Sequence, residues 1–117
     1  MIYVTNRDNR ERSGPHRRVE QILDKMGISY ISEYSFPPYT VDVYLPEWRL
    51  GCEIDGPLHS KAKDKVRDSY LAAWYFLPVL RISAKIWQSS KKIEEQIIAF
   101  IEEQAESADD RKANAPH

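Results

Sequence analysis

The sequence has little cysteine, no zinc-type Cys and His spacing, and no long apolar run. Its single cysteine, Cys52, excludes an intramolecular disulfide and lies at an apolar position of a predicted strand, so we expect a small buried residue. A Gly-rich phosphate loop and a Gly-x-Ser-x-Gly elbow are also absent, which removes several enzyme classes. The longest apolar run, Leu71 to Leu80, is too short to cross a bilayer, and the N-terminus does not resemble a signal peptide. We therefore expect a cytoplasmic protein without a membrane partner.

Net charge is small and unevenly distributed. The 117 residues carry a formal charge of −1 at pH 7, which argues against a globally basic nucleic-acid binder. Residues 1–92 contain 15 Lys and Arg against 11 acids, whereas residues 93–117 contain 2 against 7. Because phosphate contacts depend on local charge, the mildly basic body leaves room for a DNA-binding face. The length and the 42% hydrophobic content indicate one globular domain.

Two alternating runs lie at the centre of the chain. Residues 41–45 read VDVYL and residues 50–55 read LGCEID, a period of two that predicts half-buried strands. Residues 46–49 between them read PEWR, which suits a hairpin connection. The predicted hairpin is the part of the chain that carries the candidate site.

Three acids lie on this hairpin: Asp42, Glu53 and Asp55. Strict alternation points Asp42 away from Val41 and Val43, and it places Glu53 and Asp55 on one face. One register would bring the three carboxylates together, and their repulsion then requires protons or a cation. Mg²⁺, with Mn²⁺ as a substitute, suits such oxygen ligands. The alternative is that the acids are ordinary solvent-facing residues of a sheet.

The remaining patterns predict two strands and three helices. Start signals near Ser13 and a left-handed cap at Gly27 bound the first helix, and residues 28–36 form a β-like run. Residues 78–82 form a short strand, and a last amphipathic helix begins near Ser89 or Ser90. The order helix, three strands, helix, strand, helix predicts a mixed α/β fold with a small sheet between helices.

The helix that follows the hairpin has two notable faces. Its apolar positions, which recur by threes and fours, are Val66, Tyr70, Trp74 and Leu77. Its first turns carry the strongest basic cluster of the chain, which Asp64 and Asp68 dilute: Lys61, Lys63, Lys65 and Arg67. The cluster is either a phosphate-binding surface beside the acids or a solvated helix face.

Further candidates lie outside the hairpin. Arg17 and Arg18 at the start of the first helix add positive charge where a helix favours anions. Glu20 on the same helix either reaches a nearby site or pairs with Arg17 in solvent. His59 follows Gly56 on a loop, where it either has a role or is simply exposed. Residues 1–12 are predicted to be a flexible basic arm, and residues 105–117 a disordered acidic tail.

Together these features resemble the PD-(D/E)XK nuclease superfamily. The matching residues and motifs are Glu20, Asp42 in VDVYLP, Glu53 and Asp55 in CEIDG, His59, Arg67, Asp68 and the strand VLRI. More narrowly, the chain resembles the small Vsr-like branch, which includes the very-short-patch-repair endonucleases. The resemblance spans Ser13 to Ile101, and we assign residues 13–104 to this domain.

The resemblance implies a restriction-endonuclease-like core in αβββαβα order and metal-dependent hydrolysis of a DNA phosphodiester. Asp42 matches the superfamily's metal-binding Asp, and Glu53 matches the acidic position of the (D/E)XK element. Both are expected to hold Mg²⁺, with Asp55 as a further ligand or as a partner of the ligands. At Asp55 the superfamily pattern has Lys, so the general base stays open between His59 and a nearby lysine, Lys61 or Lys63.

The expected functional set follows from this resemblance. The catalytic candidates are Glu20, Asp42, Glu53, Asp55 and His59, and the DNA-binding candidates are Arg17, Arg18, Lys61, Lys63, Lys65 and Arg67. A domain of this size that cuts both strands often acts as a homodimer or with a partner that gives specificity. The alternatives are an RNA-directed or structure-selective nuclease and a catalytically inactive nuclease-fold module for DNA binding or assembly.

Overall fold

The helices and strands follow one another along the chain in the predicted order. The computed structural model describes residues 14–56, 60–86 and 88–113, with side chains described as far as residue 107. Its elements are α1 (Gly14–Met26), β1 (Ile31–Phe36), β2 (Tyr39–Leu45), β3 (Leu50–Asp55), α2 (Lys61–Tyr75), β4 (Val79–Ser83), a 3-10 turn (Ala84–Ile86) and α3 (Ser90–Ala113). The predicted αβββαβα architecture is confirmed, whereas the arm at residues 1–12 lies outside the described residues.

The four strands form one mixed sheet in the order β1-β2-β3-β4. Strands β1, β2 and β3 are antiparallel neighbours, and β4 pairs in parallel with β3. Antiparallel strands need only short connections, while a parallel pair needs a crossover, which α2 supplies here. The predicted hairpin between β2 and β3 is present, and its register pairs Leu45 with Leu50.

The end of α1 sets the direction in which the chain enters the sheet. Gly27 has a φ of 72°, the left-handed conformation expected of it. The N–H of Ile28 donates to the carbonyl of Leu23 at 2.9 Å, and the N–H of Gly27 donates to that of Asp24 at 3.1 Å. These two bonds form a Schellman motif, which satisfies carbonyls that the helix leaves unpaired.

Hydrophobic cores lie on both faces of the sheet. The larger core joins the sheet to α1 and α3 through Val19, Ile22, Leu23, Val43, Leu45, Leu50, Cys52, Ile82, Ile93 and Ile97. The smaller core lies under α2 and contains Val41, Leu71 and Leu77. Cys52 is 0% exposed in the larger core, so its expected burial is confirmed. Burial is the main cause that raises the pKa of its thiol to about 12, which leaves it unreactive.

Strand β2 breaks its alternation at Asp42. Val43 belongs to the core under α1 and α3, whereas Val41 packs with Leu71 in the core under α2. The prediction that Val41 and Val43 share one face was therefore wrong. The neighbouring strand is irregular at the same level, because Glu33, between the partners of these two valines, has a φ of 52°. Because of this local distortion, the orientation of the Asp42 side chain does not follow the regular alternation of β2.

Helix α2 turns a different face to the sheet from the one its apolar spacing predicts. Val66 is 65% exposed and Trp74 is 70% exposed, whereas Leu71 is fully buried. Two aspartates of α2, on the side of the helix that carries Leu71, bind the guanidinium of Arg81 on β4. Since these ion pairs and Leu71 face the sheet, Val66 and Trp74 are turned to solvent. Tyr70 is partly buried, whereas Leu77, beyond the end of the helix, is buried as predicted.

Helix α3 is longer than predicted. It runs from Ser90 to Ala113, so residues 105–113 are helical where a disordered tail over residues 105–117 was expected; residues 114–117 lie outside the described residues. These residues are mostly Ala, Glu, Asp, Arg and Lys, and no Gly or Pro interrupts them, which lets a helix continue. Within the described part of the chain, no helix combines the length and the apolar content needed to cross a membrane.

The orientation of α2 leads to a stability prediction. Leu71→Ala should lower the free energy of unfolding by about 2–5 kcal/mol, because it leaves a cavity in the core under this helix. Val66→Ala should change it by less than about 0.5 kcal/mol, because the side chain lies in solvent and Ala favours a helix. Urea denaturation followed by circular dichroism measures both. The reverse ranking would mean that the Val66 face packs on the sheet.

Candidate functional site

Strands β2 and β3 hold Asp42 and Glu53 side by side. The register that pairs Val43 with Cys52 makes Asp42 and Glu53 the next pair along the two strands. At this level, backbone N–H groups donate to side-chain carboxylates instead of to backbone carbonyls. The N–H of Asp42 donates to Oε2 of Glu53 at 2.8 Å, and the N–H of Ile54 donates to Oδ2 of Asp42 at 2.8 Å. Each acid is therefore held by the backbone of the opposite strand. We call Asp42 and Glu53 the acid pair.

Glu53 is nearly buried, with 4% of its surface exposed. Burial, followed by the negative charge of Asp42, raises the pKa of Glu53 to about 8. The N–H of Asp42 and the guanidinium of Arg67 favour the ionised form, but they do not outweigh these effects. Glu53 therefore keeps a proton at neutral pH in the metal-free chain, and its contact with Arg67 becomes a full ion pair only when that proton leaves.

Arg67 of α2 lies at the edge of the acid pair. Its guanidinium forms an ion pair with Oε1 of Glu53 and also donates to the carbonyl of Thr40. The same group lies 5.5 Å from the centre of the Tyr39 ring, within the range of a cation–π contact. Arg67 thus connects the acid pair on the sheet with the tip of the β1–β2 hairpin.

Arg81 of β4 organises a second group of acids. It donates to Oδ1 of Asp55 at 2.8 Å and to both oxygens of Asp68, at 2.8 and 2.6 Å, and Asp64 lies 3.3 Å away. The hydrogen bond to Asp68 is the main cause that raises the pKa of Arg81 above its ordinary value, so its charge is permanent. Asp55 is therefore fixed by a guanidinium, and Arg81 links β3 and β4 to α2.

A polar cleft of about 360 Å³ lies over these groups. The described residues that line it are Glu33, Thr40, Asp42, Glu53, Ile54, Asp55, Gly56, Asp64, Arg67 and Arg81. The cleft therefore brings together the three acids that the hairpin was predicted to assemble. It also contains two guanidiniums that supply the compensating positive charge.

The acid pair fits a metal ion bound by two carboxylates. Among the described residues, no group of three His, Cys, Asp or Glu side chains is arranged to hold a metal ion. Asp55 instead bonds to Arg81. Mg²⁺, however, is commonly bound by one or two carboxylates together with water and substrate phosphates, and Asp42 and Glu53 supply such a pair. Magnesium binding at these residues stays a prediction.

Comparison with solved structures gives an informative similarity. No protein-family model and no curated protein matches the chain. Among solved structures, the chain is similar to the catalytic domain of the homing endonuclease I-Bth0305I, with 28% sequence identity and a TM-score of 0.68. The likeness covers 80% of this chain and 98% of that domain. The fold is nuclease-like. The predicted restriction-endonuclease-like class is thereby confirmed, while the narrower Vsr-like assignment stays a prediction.

Glu20 lies away from the lining of the cleft. It is buried on α1, where Oε2 is 3.2 Å from Nε2 of His16 and accepts a hydrogen bond from the hydroxyl of Ser32. The expected alternative, a solvent pair with Arg17, does not describe this buried position. Glu20 thus links α1 to β1, on the face of the sheet opposite to α2.

The predicted DNA-binding cations divide into two groups. Lys61, Lys63 and Lys65 are exposed on the first turns of α2, close to the cleft. Arg17 is exposed and Arg18 is partly buried on α1, which packs on the other face of the sheet. His59 belongs to residues 57–59, which lie outside the described residues, so its predicted role is not addressed by the structure.

Sequence reasoning undervalued Arg81, Asp64 and Asp68. The sequence predictions give Arg81 no role and treat the two aspartates only as a dilution of the basic cluster. A lone arginine in an otherwise apolar strand is itself a signal, because a partly buried guanidinium requires acidic partners. The helical spacing of Asp64 and Asp68 could have identified those partners.

The raised pKa of Glu53 predicts a pH-dependent stability without metal. The folded state keeps a proton that the unfolded chain releases above the ordinary value of 4.5. The free energy of unfolding should therefore fall as pH rises from 4.5 towards 8 and level off above that, and this part of the slope should be missing in Glu53→Gln. Urea denaturation in EDTA at several pH values measures it. Equal slopes in the two proteins would show that Glu53 is ionised across this range.

Proposed function

We propose that this chain is a metal-dependent endonuclease that hydrolyses DNA phosphodiester bonds and belongs to the Vsr-like branch of the PD-(D/E)XK nucleases. The observation that carries the proposal is the acid pair, which the backbones of β2 and β3 hold at the cleft. The likeness to a homing endonuclease catalytic domain supports a nuclease-like function. The sequence motifs VDVYLP and CEIDG support the narrower assignment.

In the proposed enzyme, Asp42 and Glu53 hold Mg²⁺, for which Mn²⁺ can substitute. When bound, the ion supplies Lewis acidity towards a phosphoryl oxygen and lowers the pKa of a water molecule. The chain's own contribution begins with Glu53, which must release both its proton and its contact with Arg67 to serve as a ligand. Asp42 keeps its bond from the N–H of Ile54, which holds the carboxylate in place.

Arg67 and the exposed lysines account for substrate binding. Once released from Glu53, the guanidinium of Arg67 is placed at the rim of the cleft to bind a phosphate. Lys61, Lys63 and Lys65 extend this positive surface along α2 and provide contacts that do not depend on sequence. Arg17 and Arg18 on the opposite face are weaker candidates for contacts beside the cleft.

Asp55 has a positioning role in this proposal. It stands where the superfamily pattern has Lys, and its carboxylate holds Arg81 at 2.8 Å. That arginine anchors α2 and therefore holds Arg67 near the acid pair. A proton-transfer role for His59, with its reference pKa close to neutral pH, follows from the resemblance alone.

A second candidate function is a DNA-binding or assembly module that keeps the nuclease fold without activity. The ion pair between Arg67 and Glu53 favours it, because a guanidinium already occupies one of the proposed ligand oxygens. The aspartate at the superfamily's lysine position favours it as well. Such a module would bind DNA equally well with or without EDTA.

The proposed activity predicts a severe defect in Asp42→Asn. Cleavage of supercoiled plasmid, a mismatched duplex or a branched junction with Mg²⁺ or Mn²⁺ should fall by roughly a hundredfold or more, because metal assistance contributes several kcal/mol. A second readout is Mn²⁺ binding, measured as an increase in melting temperature. This increase should be present in the wild type and lost in the variant.

Asp24→Asn is the matched control, since Asp24 is exposed on α1 and accepts a bond from the hydroxyl of Tyr30. It should cleave DNA and bind Mn²⁺ like the wild type. Equal cleavage by Asp42→Asn and the wild type would remove the acid pair from the mechanism. Metal-independent DNA binding without any cleavage would favour the inactive module.

A further inference from the structure

Two large side chains of α2, one aliphatic and one aromatic, face solvent beside the cleft. Val66 is 65% exposed and Trp74 is 70% exposed, and Tyr70 lies between them one helical turn from each. We call these three residues the α2 stripe. Tyr70 is partly buried, so the stripe presents two exposed large side chains joined by a third on one helix face, which favours a binding surface.

Ring contacts connect the stripe to the candidate site. The ring of Tyr70 lies 6.0 Å from that of Trp74 and 5.4 Å from that of Tyr39, the first residue of β2. The guanidinium of Arg67, which forms the ion pair with Glu53, lies over the ring of Tyr39. A path of aromatic rings therefore runs from the exposed end of α2 to the acid pair.

A hollow of about 590 Å³ opens between α2 and Tyr39 along this path. Its lining combines apolar surface from Val66 with the cations Lys63 and Arg67 and with Asp64, whose carboxylate lies 3.3 Å from the guanidinium of Arg81. The side chain of Lys63 is exposed, so it can follow a ligand that lies over the stripe. The surface thus offers flat rings and cations side by side.

These properties favour a single-stranded nucleic acid over other occupants. Every unpaired base has a flat face that stacks on an aromatic ring, and its phosphate needs a nearby cation, whereas a duplex hides the base faces. A second copy of this chain is disfavoured, because a twofold interface uses the same surface on both sides, so that both partners would bring the positive charge of Lys63 and Arg67 into it.

We propose that the α2 stripe is a stacking platform for a single-stranded segment that adjoins the phosphate to be cut. The substrate is then a flap, a branched junction or a tailed duplex rather than a continuous duplex. The inference rests on the proposed function for the position of the cut, while the stripe's affinity for single strands is independent of cleavage.

The first test measures binding of a fluorescein-labelled oligo(dT) 12-mer by anisotropy in EDTA, with the full chain. Trp74→Ala should bind roughly 5- to 150-fold more weakly than the wild type, the range expected for the loss of one base–aromatic stack. Trp74→Phe should recover most of the affinity, because it restores a flat ring. Circular dichroism checks that each variant is folded.

Phe76→Ala is the matched control. Phe76 is 79% exposed at the end of the same helix, but it lines a different hollow with Gln104 of α3. Its removal should leave oligonucleotide binding unchanged. The inference is overturned if the wild type does not bind the oligonucleotide, if Trp74→Ala binds like Phe76→Ala, or if Trp74→Ala only converts a dimer to a monomer in sedimentation.

A second test separates this inference from the proposed function. With Mg²⁺, the wild type should cleave a flap substrate faster than a blunt duplex of the same sequence, and Trp74→Ala should lose that preference. Cleavage without a Trp74-dependent preference for the flap substrate overturns the inference and leaves the nuclease proposal intact. Oligonucleotide binding that depends on Trp74, without cleavage of either substrate, supports the platform and rejects the nuclease. Asp42→Asn should keep the binding and lose the cleavage.

Discussion

Two backbone N–H groups at the centre of the sheet depend on carboxylates as their acceptors. Those of Asp42 and Ile54 donate to Glu53 and Asp42, at the point where the alternation of β2 breaks. Leaving a buried donor unpaired costs about 1–3 kcal/mol, so replacing either acid disturbs the sheet as well as the site. The position of the acid pair is thus a requirement of folding. The same bonds hold two carboxylates close together despite their repulsion.

Carboxylates outnumber guanidiniums around the cleft, and this imbalance shapes the surrounding structure. Arg67 compensates the acid pair, and Arg81 compensates the aspartates at the other end. The remaining negative charge favours a cation inside the cleft, whereas the exposed lysines at the start of α2 favour phosphates outside it. Without those lysines, the acids would repel a polyanionic substrate. This separation of charge, with the acids inside the cleft and the lysines outside it, supports the proposed metal-assisted phosphate chemistry.

Local patterns were sufficient to predict much of this fold. The alternating runs predicted the β2–β3 hairpin, and Gly27 marked the end of α1, because both signals are contained within a few residues. The orientation of α2 was not predictable in that way. It depends on ion pairs between Arg81 and aspartates at least 13 residues away in the chain, which override the helix's apolar spacing. The broken alternation at Asp42 likewise depends on a partner from another strand.

The site could be predicted as a set of acids but not as an arrangement. The sequence pattern placed Asp42 and Glu53 on adjacent strands and allowed a register that makes them neighbours, but it did not select that register. It could not separate Asp55 from them, because that separation is produced by Arg81, which arrives from β4. Glu20 shows the same limit, since its burial depends on Ser32 of a different element.

Arg67 makes occupancy of the metal site and of the substrate site interdependent in the proposed enzyme. Its guanidinium serves Glu53, the carbonyl of Thr40 and the ring of Tyr39 at once. A phosphate that draws the guanidinium towards the rim removes positive charge from Glu53, and a divalent cation is then the favoured replacement. A cation at Glu53 in turn repels the guanidinium and frees it for a phosphate. Linkage requires the two effects to be equal in free energy, so substrate and metal ion should promote each other's binding to the same extent.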